Sequence, residues 1–134
     1  MTPQLEEALR LLRLAQRDCE VLEILAETGD KTHAAAGFHA QQAVEKALKA
    51  LLCAHDVDFP RTHDLEGLLK RLAGTGDTPP TPVQKLRALT PYAVDFRYDD
   101  EPVRLLATGE MRAIVDEVIG FVADRLELRQ ENDS

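Results

Sequence analysis

Apolar residues recur along this chain at helical spacing, and no segment alternates apolar with polar over a useful length. Residues 4 to 28 are helix formers almost without a break, and Thr2-Pro3 places a cap residue before a proline at the first helical position. Leu5, Ala8, Leu9, Leu12, Ala15 and Cys19 fall on one face of that helix, with Leu11, Leu14, Val21 and Leu25 nearly opposite. A helix apolar on two sides needs a second partner beyond its own core. After Thr28-Gly29-Asp30, a second helix is predicted from about Thr32 to His55, its stripe formed by Ala36, Ala40, Ala43, Val44, Ala47, Leu48 and Leu51, with Phe38 and Leu52 off it. Thr62 is the expected cap of a short helix from His63 to about Leu72, and Thr81-Pro82-Val83-Gln84 the capping box of another from about Pro82 to Tyr92, which Pro91 disturbs or ends. Met111, Ile114, Val115, Val118, Ile119, Val122 and Leu126 keep helical spacing through a last long helix, about Gly109 to Leu128. The pattern predicts an all-α fold: an up-and-down helical bundle of three long helices plus two short ones, a single domain over residues 1–134.

Composition narrows the function classes. No apolar run approaches the roughly 20 residues that span a bilayer, and the start lacks the basic and apolar regions of a signal peptide, so a cytoplasmic protein is expected. The net charge of −8 argues against coating duplex DNA, which requires phosphates to be neutralised, so any contact with nucleotide or RNA must be local. Cys19 and Cys53 have no metal-binding spacing and read as buried free thiols; no metal or cofactor is expected. Ser134 is the only serine, and there is no glycine-rich phosphate loop, which removes the common hydrolase and NTPase arrangements.

Three segments resemble the HEPN family, named for higher eukaryotes and prokaryotes nucleotide-binding domains. They are His39-Ala40-Gln41-Gln42-Ala43-Val44-Glu45-Lys46-Ala47-Leu48-Lys49-Ala50-Leu51-Leu52, then Arg61-Thr62-His63-Asp64-Leu65, then Arg97-Tyr98. The resemblance implies a helical bundle that commonly dimerises, is often encoded beside a minimal nucleotidyltransferase in toxin-antitoxin-like pairs, and in some relatives binds nucleotides or cleaves RNA. The cleaving members use an Arg followed after four to six residues by a His. Arg97 is followed by Tyr98-Asp99-Asp100-Glu101-Pro102-Val103-Arg104-Leu105, without that His, and an arginine alone cannot perform acid-base chemistry near neutral pH. A binding role is expected ahead of a ribonuclease.

The candidate phosphate- or nucleotide-binding residues are Lys46, Lys49, Arg61, His63, Arg97 and Tyr98. Each has a structural reading beside the functional one: Lys49 pairing with Glu45 one turn back, Thr62 and Asp64 capping a helix beside His63, Arg97 bridging to its acidic neighbours, His39 packing at the edge of a core stripe. The expected function is a nucleotide- or RNA-associated component of a two-part system with a nucleotidyltransferase partner. The alternative is a homodimeric interaction module whose polar residues are structural.

Overall fold

The structure is a computed structural model that describes residues 1–94 and 106–133, all helix and connection with no strand among them. Helix α1 (Pro3–Ala26) begins as expected, the Thr2 hydroxyl accepting the Leu5 N–H at 3.1 Å. A 3₁₀ turn at Asp30–Thr32 leads into α2 (His33–Ala54), followed by α3 (Leu65–Arg71), α4 (Val83–Leu89), a second 3₁₀ turn at Thr90–Ala93, and α5 (Thr108–Asp133). Each of the three long helices packs on the other two, and α3, α4 and the second 3₁₀ turn pack on α2. The all-α bundle is therefore the architecture, and no helix among the described residues is long and apolar enough to cross a membrane.

The two long stripes behave as their periodicity demands. Ala36, Ala40, Ala43, Val44, Ala47, Leu48 and Leu51 of α2 are all buried, as are Met111, Ile114, Val115, Val118, Val122 and Leu126 of α5. Leu52 corrects the reading: it is fully buried, because the chain beyond α2 folds back so that Val57, Phe59 and α3 pack against the core on that side. Cys19 and Cys53 are free thiols, partly rather than fully buried.

The short helices start differently from what the sequence predicts: Thr62 turns locally onto Asp64, and Thr81 is taken by a contact across the bundle. α3 begins at Leu65, not His63: residues before it stay extended, the Thr62 hydroxyl accepts the Asp64 N–H, and the Leu65 N–H goes to the Thr90 hydroxyl. Thr81 does not cap α4; it is buried, and its hydroxyl donates to Glu117 of α5. Pro91 ends α4 as expected, the chain tightening into the 3₁₀ turn. A two-pronged pair from Arg87 to Glu66, 2.8 Å for each hydrogen bond, clips α4 to α3 and holds the Glu66 carboxyl down to about 2.

Tyr92 closes the side of the bundle. Its ring lies against Gly37 so tightly that a Cβ there would sit 2.0 Å from the Tyr92 Cδ1 atom, while its hydroxyl meets His33 Nε2 at 3.0 Å and accepts the Leu106 N–H at 3.3 Å. Gly120, on the exposed side of α5, has nothing within 4 Å of a built Cβ. Gly37→Ala is therefore expected to destabilise the fold by about 1–3 kcal/mol through overpacking, whereas Gly120→Ala stabilises it by up to about 1 kcal/mol through helix propensity. Urea unfolding of the two variants beside the parent chain measures both signs.

Candidate functional site

The polar face of α2 carries the chemistry, and its turn-by-turn spacing determines which partner each side chain meets. Gln41, Glu45 and Lys49 succeed one another at i, i+4 and i+8 on the side facing the 62–64 segment. His39 and Lys46, two turns apart, face α1. The row thus divides between two buried carboxylates.

Glu45 is 5% exposed and saturated: Lys49 Nζ donates to one oxygen at 2.9 Å, while His63 Nδ1 at 2.7 Å and Gln41 Nε2 at 3.1 Å donate to the other. Gln41 Nε2 also donates to the His63 carbonyl at 2.9 Å, and Gln42 Nε2 donates to Gln41 Oε1 at 2.8 Å. That double hold on His63 keeps the chain extended ahead of α3. Burial pushes the Glu45 carboxyl up, but the hydrogen bonds from His63, Lys49 and Gln41 outweigh it and leave the group below its ordinary value. Lys49 Nζ also lies 5.6 Å from the Phe59 ring centre, a cation-π contact.

The second carboxylate is Asp18 of α1, buried, with one oxygen 3.0 Å from His39 Nδ1 and the other accepting Lys46 Nζ. An ionised carboxylate only accepts, so both imidazoles carry their hydrogen on Nδ1, and in the neutral rings the Nε2 lone pairs stay available. His63, its side chain 56% exposed, presents that nitrogen at the surface. The arrangement can offer ammonium groups and oriented imidazoles to an anion, provided that they keep or exchange their carboxylate partners.

Of the residues singled out from sequence, the structure brings Lys46, Lys49 and His63 onto this one face of α2. Arg61 is exposed, without a hydrogen bond or ion pair among the described residues. Arg97 and Tyr98 lie outside the described residues. Asp18 and the central role of Glu45 were missed. The signal for Asp18 was its position, three residues after Ala15 and four before Leu22, on the buried stripe itself rather than beside it.

The family model for the HEPN domain matches residues 8–127, nearly the whole bundle. The chain belongs to the HEPN family. This HEPN chain is also similar in structure to TT1696 from Thermus thermophilus, with a TM-score of 0.73, 25% sequence identity, and coverage of 88% of this chain and 97% of that one. No curated protein matches it.

The Glu45 cluster has a consequence for acid stability. Because the folded-state carboxyl titrates below its unfolded value, its contribution is complete above the ordinary carboxylate range near pH 4.3 and is lost as pH falls toward the lower folded value. Unfolding free energies measured from about pH 6 to pH 3 should therefore fall more steeply for the parent chain than for Glu45→Gln, which cannot titrate there. Equal slopes would show that the carboxylate contributes nothing.

Proposed function

We propose that this HEPN protein is a cytoplasmic nucleotide- or RNA-associated binding component, working as a homodimer beside a minimal nucleotidyltransferase partner, with its anion contacts on the polar face of α2. The observation that carries the reading is the gathering of His39, Lys46 and Lys49 of α2 and of His63 from the segment before α3 around two carboxylates in an acidic chain. At neutral pH two ammonium groups balance two carboxylates, so an incoming phosphate is held by exchanging partners rather than by excess charge. Binding of that kind is weak and sensitive to salt, since exposed charges are screened over about 8 Å at physiological ionic strength. Arg61, Arg97 and Tyr98 are the further candidates, carried by their matches to the family's segments. The role proposed is binding without RNA cleavage, because the histidine expected after Arg97 is absent from the sequence. Homodimerisation is supported by the second side of α1, where Leu14 and Val21 remain partly exposed beside Ile24, 66% exposed, although Leu11 and Leu25 pack in part on the chain's own core.

Calorimetry with ATP and with a short single-stranded RNA at low and moderate salt tests the binding role. Both are expected to bind at low salt, Lys49→Ala to weaken them with little change in helical signal, and the RNA to stay uncleaved. Absence of binding at low salt would leave the second reading, an interaction module whose lysines are structural; the pairing of both lysines with carboxylates favours that alternative.

For the homodimer, light scattering at tens of micromolar is expected to give twice the chain mass. Leu14→Glu should dissociate the dimer while keeping the helical signal, whereas Val118→Glu, which buries an unpaired charge in the core, should unfold the chain. A monomer in the parent protein would overturn the homodimer.

A further inference from the structure

A cavity of about 720 Å³ opens at the end of the bundle where α1 starts and α2 stops, lined in part by the last turns of α5. Its polar wall is a continuous chain of contacts. Arg129 Nη1 donates to the Ala54 carbonyl at 3.1 Å and Nη2 to His55 Nδ1 at 2.9 Å; His55 Nε2 then donates to Asp77 Oδ2 at 2.8 Å, and Arg125 Nε lies 3.2 Å from Asp77 Oδ1. The Asp77 carboxylate only accepts, so His55 carries a hydrogen on Nε2, and Arg129 Nη2 lies beside both ring nitrogens, 2.9 Å from Nδ1 and 3.2 Å from Nε2.

Two groups on this wall keep bonding capacity in reserve. Arg125 sits 4.8 Å over the Phe121 ring, which orients its guanidinium, yet it makes no hydrogen bond among the described residues beyond the ion contact with Asp77. Arg125 and Arg129 are one turn apart on α5, so both guanidinium groups reach the cavity, and guanidinium donors match the oxygens of a phosphate. Asp56, held in the left-handed region at φ 54° with its N–H on the Cys53 carbonyl, also lines the wall, and its carboxylate has no partner among the described residues. A bare anion would be repelled by Asp56, whereas a ligand that carries its own donors satisfies it.

We propose that this cavity binds a phosphate monoester whose other part bears hydroxyl or amino donors, the phosphate on Arg125 and Arg129 and a donor on Asp56. The volume is of the size that small-molecule sites take. The site is separate from the polar face of α2 and does not depend on the role proposed for it.

Titration calorimetry of the full chain with adenosine monophosphate, adenosine and inorganic phosphate tests the assignment. The monophosphate is expected to bind, adenosine at least about tenfold more weakly, and Arg125→Gln to weaken the monophosphate by about tenfold, the loss of a charge-assisted contact. Asp56→Ala should narrow the preference for the monophosphate over inorganic phosphate, and the loss caused by Arg125→Gln should be the same in a Lys49→Ala background as in the parent chain, which separates this site from the α2 face. Melting curves confirm that the variants fold. A 5′-phosphorylated trinucleotide that competes more strongly than the free monophosphate assigns the site to an RNA end, and weaker competition assigns it to a free nucleotide. Equal affinity for adenosine and its monophosphate, no binding, or no effect of Arg125→Gln would overturn the proposal.

Discussion

The contact between α1 and α2, the most extensive between any two helices of the bundle, sets small side chains among the leucines, and the rest of the molecule depends on it. Ala8 and Ala15 of α1 are fully buried, and so are Ala40, Ala43 and Ala47 of α2. Alanine methyls let two helix backbones come close, and only at close approach can a side chain as short as aspartate reach across to both His39 and Lys46. A larger residue in this seam would separate the helices and leave Asp18 short of its partners. The polar face of α2 is thus a product of how the apolar face beside it is packed.

Buried carboxylates give this face its electrostatic character. Burying a charge costs several kcal/mol unless partners offset it, and both Glu45 and Asp18 are compensated by cationic or imidazole groups from α2 and the chain ahead of α3. The same pairing holds the imidazoles in one tautomer and keeps the ammonium groups at defined places instead of waving in solvent. A surface assembled in this way is prearranged for an anion, but it holds no surplus of positive charge.

Much of the fold was legible because helical period is a strong signal when it is long. The stripes of α2 and α5 and the Thr2 cap of α1 could be read position by position. The starts of α3 and α4 could not, since His63 is drawn to Glu45 and Thr81 to Glu117, and contacts across the bundle leave no trace in local sequence. Asp18 was hidden for a related reason: a charge within an apolar stripe reads as a break in the pattern until the opposing helix supplies its counterions. Lys46, Lys49 and His63 were found through the family's segments. The chain from Arg129 through His55 and Asp77 to Arg125 joins residues up to 74 positions apart and carried no local signature at all.

The alanine seam has a further implication for how the two helices find their alignment. Leu5, Leu12 and Leu22 share the buried stripe of α1 with Ala8 and Ala15, so sliding α1 along α2 by one turn, about 5.4 Å, would set leucines where alanines now sit. The same shift would carry Asp18 away from Lys46 and His39, its two partners across the contact. One aspartate therefore adds an electrostatic index mark to a register that the alternation of large and small side chains already sets.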